Sequence, residues 1–311
     1  MRAFIFPGQG SQAVGMGKAL AEASPVARAV FEEVDEALGQ HLSRLMFEGP
    51  GEELTLTANA QPAIMANAVA TLRVLEKEGG VRLADKADYV AGHSLGEYSA
   101  LCAAGALDLA TTALLLRHRG EAMQAAVPVG QGGMAALLGA DLATAQKIAD
   151  AAANGEVCTV ANDNDPSQVV ISGAKAAIDR AIEIAKDHGA KRAVALPVSA
   201  PFHCPMMQPA ADAMSIALGE ARIDTPLVPV FANVTAQPVS DVDTIRKLLV
   251  EQVTGMVRWR ESVLNMADTG VERFIEFGGK VLAPMVKRIA PDVDASSVIS
   301  MDDVEALVKS F

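Results

Sequence analysis

Aromatic residues are scarce in this sequence. One Trp, two Tyr and nine Phe amount to 4% of 311 residues, so Ala, Val, Leu and Met must fill the core. That composition suits helices packed on a parallel sheet. Basic residues are also in deficit: 26 Lys and Arg stand against 38 Asp and Glu, for a net charge of −12. A chain of that charge is a poor partner for nucleic acid or an anionic membrane, and any anionic substrate must be met by a local basic site. Cysteine is limited to Cys102, Cys158 and Cys204. An odd number without metal-ligand spacing points to a reducing, cytoplasmic setting and to no metal. Long apolar runs are missing too. The longest charge-free stretches, 54–72 and 193–211, are broken by Pro, Asn, Gln or His, so no membrane span is expected. The opening residues 1–6 stop at once at Pro7-Gly8, which is not the pattern of a secretory signal. There is no internal repeat or low-complexity segment.

Half of the residues are hydrophobic, and the length fits one large domain with a smaller partner. The organising stretch is Tyr89-Val90-Ala91-Gly92-His93-Ser94-Leu95-Gly96-Glu97-Tyr98. Residues 87–90 are short and apolar enough for a strand, and residues 99–107 small and apolar enough for a buried helix. Gly92-x-Ser94-x-Gly96 between them fits a sharp strand-to-helix turn that exposes a serine oxygen. The Leu95 N–H would then lie at a helix N-terminus, where an oxyanion is stabilised. The alternative is an ordinary strand–loop–helix junction that happens to hold a serine.

Residues 2–6 read as a first strand, followed by the glycine-dense Pro7-Gly8-Gln9-Gly10-Ser11-Gln12 and Val14-Gly15-Met16-Gly17. Such a loop brings backbone close to something. A dinucleotide fingerprint fits poorly, because no strand ends in an acidic residue about twenty residues on. A shared active-site loop fits better. Helices are expected over 19–38, 42–47 and 60–78, with Pro62 in the first turn of the last, and over 111–126. From residue 127 the pattern becomes strand 134–138, helix 143–153, strand 157–161, turn 162–166, strand 168–172, helix 175–187 and strand 192–198. That βαββαβ order is the ferredoxin-like unit, read as a subdomain over 127–198 inserted into a core of 1–126 and 199–311. Beyond a loop at 199–205, helices 206–221, 243–251, 258–269 and 280–289 and strands 228–233 and 274–277 complete an α/β core with a mostly parallel sheet.

A serine nucleophile needs a base within reach. His41 and His188 sit beside helix ends, His93 would point away across the turn, and His118 lies on a helix. His203, held between Pro201 and Pro205, is the candidate base; a structural loop histidine is the alternative. The acids between Ser94 and His203, such as Asp163 and Asp165, fall in the inserted unit and are poorly placed for a triad. A Ser–His dyad oriented by a carbonyl or amide fits better. Cys204 shows no activating surroundings. Arg119 is either a solvated helix residue or a fork for a substrate carboxylate.

Phe6-Pro-Gly-Gln-Gly-Ser-Gln12, Gly92-His-Ser-Leu-Gly-Glu-Tyr98, Arg119-Gly120, Ala161-Asn162, Val170-Ile-Ser-Gly173 and Val198-Ser-Ala-Pro-Phe-His-Cys-Pro205 together resemble the malonyl-CoA:acyl carrier protein transacylases. The resemblance runs on to Gly279-Lys280-Val281-Leu282. It implies a hydrolase-like α/β core with an inserted ferredoxin-like subdomain. It also implies ping-pong transfer of malonyl from malonyl-CoA, through Ser94, to the phosphopantetheine thiol of acyl carrier protein, releasing CoA and supplying fatty acid biosynthesis. By the same resemblance, His203 is base and then acid, the Gln9 and Leu95 N–H groups form the oxyanion hole, and Arg119 holds the malonyl carboxylate. The main-chain oxygen of Gln252 orients His203, and Phe202 matches the malonyl-preferring form of its loop. Two positions depart from the family pattern: Met256 where Pro is usual, and Phe277-Gly278-Gly279-Lys280 in place of Gly-Pro-Gly-Lys. No cofactor is implied, and a monomer is expected. Lys191-Arg192 and Lys287-Arg288 are candidates for a basic surface that meets the acidic carrier protein. The rivals are a serine thioesterase or hydrolase, which has no use for Arg119; an acyltransferase of a polyketide-type synthase; and a non-catalytic binding module.

Overall fold

The computed structural model describes residues 1–198 and 200–311; Ser199, where the expected loop and second core segment begin, lies outside the described residues. Among the described residues ten strands form two sheets: β1 (Arg2–Phe6), β2 (Tyr89–Gly92), β3 (Gly132–Leu138), β4 (Cys158–Asp165), β5 (Gln168–Ala174), β6 (Arg192–Ala195), β7 (Val230–Phe231), β8 (Pro238–Val239), β9 (Arg273–Phe277) and β10 (Asp294–Val298). The large sheet runs β10-β9-β1-β2-β7-β8 and is parallel except for the β7–β8 pair. β1 carries the near-continuous apolar run of a strand buried on both faces, and Ala3 to Phe6 are fully buried. The chain leaves β1 towards β2 and leaves β9 towards β10, so the connections diverge between β9 and β1. In an open α/β sheet the crevice at the carboxyl ends of such strands is where ligands bind.

The small sheet, β4-β5-β3-β6, is antiparallel throughout. It has its own core, in which Ile148 and Ala149 of helix Leu142–Ala153 and Ile178 and Ala181 of helix Lys175–Ile184 pack with Leu137 and Ile171. β4 joins it to the large body. Val257 donates to the Ala161 carbonyl and accepts from the Asp163 N–H. The buried carboxylates of Asp163 and Asp165 take Arg260 and Arg288, each at 2.8 Å, from helices Trp259–Asp268 and Leu282–Ile289. The acids of β4 thus tie the small sheet to the helices of the large body.

Several elements differ from their sequence expectation for identifiable reasons. The long helix spans Thr57–Lys77, because the Leu56 carbonyl already accepts the Asn59 and Ala60 N–H groups; Pro62 therefore falls in the second turn. The helix after the serine spans Gly96–Ala103 and stops early, where Gly105 turns at φ +74° and Ala106 donates to the Leu101 carbonyl. β4 runs on through the expected turn to Asp165, with register shifts at Val160/Asn162 and Asp163/Asp165 that leave the strand irregular beside the cleft. β8, β10 and helix Met301–Ser310 were not expected. β10 is an edge strand, Asp-Ala-Ser-Ser-Val, with little apolar alternation to betray it. Among the described residues no helix is long and apolar enough to cross a membrane, and no cluster of potential metal ligands occurs.

Candidate active site

Ser94 lies on the turn between β2 and helix Gly96–Ala103, with φ +53°. A non-glycine residue in the left-handed region is held there by its surroundings. The flanking glycines are required by contact. A Cβ on Gly92 would lie 1.9 Å from the Gly96 carbonyl oxygen, and one on Gly96 would lie 2.2 Å from that of Phe6. Asn233, just past β7, braces the turn from below: its Oδ1 accepts the Ser94 N–H at 2.8 Å and its Nδ2 donates to the Gly92 carbonyl at 2.7 Å.

His203 is brought in from the loop after β6 and also has a left-handed backbone, φ +56°. Its Nε2 lies 2.8 Å from Ser94 Oγ, and its Nδ1 lies 2.9 Å from the Gln252 main-chain oxygen. A carbonyl can only accept, so Nδ1 carries the proton and Nε2 is left to accept from serine. Burial, and next the nearby Arg119 cation, push His203 down to about 3. The imidazole is neutral at pH 7 and ready as a base. His93, beside the serine, turns away; its Nε2 meets Asn164 Oδ1 at 2.8 Å.

Arg119 lies in helix Leu109–Ala126 and is only 1% exposed. The next residue, Gly120, lets this helix approach helix Thr57–Lys77, since a Cβ there would lie 2.7 Å from Ala58 Cα. That approach brings the guanidinium to Gln61 Oε1 (2.7 Å), Gln252 Oε1 (2.8 Å) and Ser94 Oγ (3.1 Å), over the Tyr98 ring. Among the described residues it has no ion pair, and its Nε has no partner. A buried cation beside a nucleophile, with no anion of its own in contact, is a site for an anionic group.

Three side chains that the sequence did not single out complete the arrangement: Gln61, Asn233 and Glu97. Glu97 is buried; it accepts from Gln252 Nε2 at 2.7 Å and from the Asn233 N–H at 3.2 Å, and burial pushes its carboxyl up to about 7. Two of them left a trace in the sequence: Glu97 within the Gly92–Tyr98 motif, and Asn233 as the polar end of the expected strand 228–233. Among the described residues, the N–H groups of Gln9 and Leu95 have no hydrogen-bond partner. Both residues line a cleft of about 350 Å³ that also holds Ser94, Arg119 and His203. Its far wall comes from the small sheet, through Asn162, Asn164 and Val170, and Phe202 lines it beside His203. Such an arrangement can activate a hydroxyl, stabilise an oxyanion and bind a carboxylate at one place.

The basic pairs proposed to meet a partner differ. Arg288 is engaged by Asp165, and Lys287 by the Val293 carbonyl and Asp294. Lys191 and Arg192 are exposed and have no ion pair among the described residues. Met256, at a departure from the family pattern, packs against the core of the small sheet.

Comparison with known proteins agrees in kind. Residues 3–285 match the acyl transferase domain family. The malonyl CoA-acyl carrier protein transacylase of Bacillus subtilis (strain 168) is 44% identical over 99% of this chain and 96% of its own length. The crystal structure of the acyl-carrier-protein-S-malonyltransferase from Bartonella henselae superposes with a TM-score of 0.97 at 52% identity, covering 99% of this chain and 98% of that one. A chain of the structure of a type II PKS acyl-carrier protein in complex with its malonyl-transacylase superposes with a TM-score of 0.96 at 39% identity, over 100% of this chain and 99% of that one.

Proposed function

The chain belongs to the acyl transferase domain family, and on that premise we propose that it transfers the malonyl group of malonyl-CoA to the phosphopantetheine thiol of an acyl carrier protein. Ser94 Oγ gives its proton to His203 Nε2 and attacks the thioester carbon. The Gln9 and Leu95 N–H groups hold the oxyanion, and CoA leaves with the proton returned by His203. The carrier thiol then gives its proton to His203 and attacks the malonyl ester, and Ser94 recovers its hydrogen. The Gln252 main-chain oxygen holds the imidazole in one tautomer, and no organic or metal cofactor takes part in these steps. The observation that carries the reading is the buried Arg119 guanidinium, 3.1 Å from the nucleophile and free of any ion pair among the described residues. The malonyl carboxylate lies one methylene from the carbonyl under attack, so it reaches that cation when Ser94 reaches the carbonyl.

The finer architecture belongs to the same proposal. The small sheet is built from strands 2-3-1-4 of a βαββαβ segment, which supports reading residues 127–198 as a ferredoxin-like insertion in a hydrolase-like core of 1–126 and 199–311. We take the working unit to be a monomer. Free Cys102, Cys158 and Cys204 suit a cytoplasmic setting. We take the carrier to be that of fatty acid synthesis; the similarity to the type II PKS complex favours a polyketide carrier as the second reading. Intact mass after mixing with malonyl-CoA tests the chemistry: wild type gains a malonyl adduct that Ser94→Ala does not, and either carrier type then discharges it. Release of free malonate without a lasting adduct would mean a hydrolase. Relative kcat/KM for the two carriers decides between the two readings.

A further inference from the structure

Beneath the reacting groups lies a carboxylate that the steps above do not use. Glu97 follows the serine turn and is 2% exposed, with no cation in contact among the described residues. Its Oε2 takes two donors: Gln252 Nε2 at 2.7 Å and the Asn233 N–H at 3.2 Å. Each of those residues in turn holds a residue of the site. The Gln252 amide also donates to the Ser94 carbonyl at 3.0 Å and presents its Oε1 to Arg119 at 2.8 Å. Asn233 holds the Ser94 N–H. A side-chain amide is nearly symmetric in shape, so only its partners decide which end faces Arg119. Turned over, Gln252 would set an NH2 group against the guanidinium, deprive Glu97 of the shorter of its two donors and release Arg119 from its aim at Ser94.

Resting on the malonyl-transfer reading, we propose that Glu97 is a positioning residue: as a hydrogen-bond acceptor it fixes the orientation of the Gln252 amide, and through it the aim of Arg119 at the substrate carboxylate. What matters is an acceptor at that position. A shortened side chain fails, and an uncharged acceptor of the same length succeeds.

The readout is the ratio of malonyl to acetyl loading on Ser94, measured by intact mass from malonyl-CoA and acetyl-CoA. A partly unfolded preparation loses both reactions equally and leaves the ratio unmoved. Glu97→Met removes the acceptor at similar volume and should lower the ratio about tenfold, the scale of one buried hydrogen bond to a charged group. Glu97→Asp keeps a carboxylate but withdraws it by one methylene, and should also lower the ratio; it serves if the Met variant does not fold. Glu97→Gln should keep the wild-type ratio. A wild-type ratio in both Met and Asp variants overturns the proposal, as does a Gln variant that falls as far as Met, since charge rather than an acceptor would then be at work. In either case wild type still loads malonyl on Ser94 and the proposed function stands. A wild type that loads no malonyl overturns both.

Discussion

Replacing Arg119 by Ala separates a role in folding from a role in selecting substrate. The lost guanidinium leaves Gln61 Oε1 and Gln252 Oε1 without a donor, a cost of about 1–3 kcal/mol for each buried acceptor. Two effects offset it. The variant no longer buries a cation that has no ion pair among the described residues, and the vacated space adjoins the cleft, where water reaches the stranded oxygens. The net change in stability should stay within about 2 kcal/mol. Malonyl transfer should suffer far more. Truncating one member of a buried, hydrogen-bonded charge pair costs about 2–5 kcal/mol, which at 1.36 kcal/mol per decade is a loss of roughly 30- to 5,000-fold in kcat/KM for malonyl-CoA. Acetyl-CoA has no carboxylate to lose, so its kcat/KM should be unchanged or higher. Stopped-flow acylation with each thioester, beside a thermal melt, measures all three quantities. Equal losses for malonyl and acetyl would refute the reasoning and reduce Arg119 to a structural residue.

Two further outcomes follow from the geometry. Because burial holds His203 near 3 rather than the usual 6.5, its neutral form persists as the pH falls; the acylation rate should show no acid limb from His203 near 6.5, and a limb near 6.5 that persists in Glu97→Gln, where the other group near that pH is gone, would contradict the burial argument. Gly96→Ala drives a Cβ to 2.2 Å from the Phe6 carbonyl and 2.8 Å from that of Pro7, so it should lose about 3 kcal/mol or more, roughly 6 °C in Tm, together with Ser94 acylation. Gly219→Ala, in open space on helix Gln208–Glu220, is the control: acylation should be unchanged and Tm unchanged or slightly higher.

Much of the fold was legible because local pattern and tertiary role agree. The apolar run of β1, the alternation of strand and helix and the glycine spacing around Ser94 each carry their own physical reason. The places where the reading slipped are those where a tertiary contact overrules local preference. Pro62 suggested a helix start, yet the Leu56 carbonyl begins the helix a turn earlier. The Asn-Asp-rich stretch after Ala161 suggested a turn, yet pairing with β5 and with Val257 draws it into β4. The edge strand β10 had no apolar pattern to read.

For the site, residue order alone sets the chemistry on offer: a hydroxyl on a glycine-flanked turn, a histidine between prolines, an arginine on a helix. None of this sets distance. Ser94, Arg119, His203 and Gln252 come from four separate segments, and hydrogen-bond reach between them exists only because β2, the helix of Arg119, the loop of His203 and the helix of Gln252 converge on one cleft. Burial, too, is a property of the assembled fold. It makes Arg119 a buried cation without an ion pair among the described residues where composition would place a solvated one, lowers the pKa of His203 and raises that of Glu97. The residues fix which groups are present; the packing fixes their charge, partners and aim, because desolvation and hydrogen bonding act only between groups that the fold has brought together.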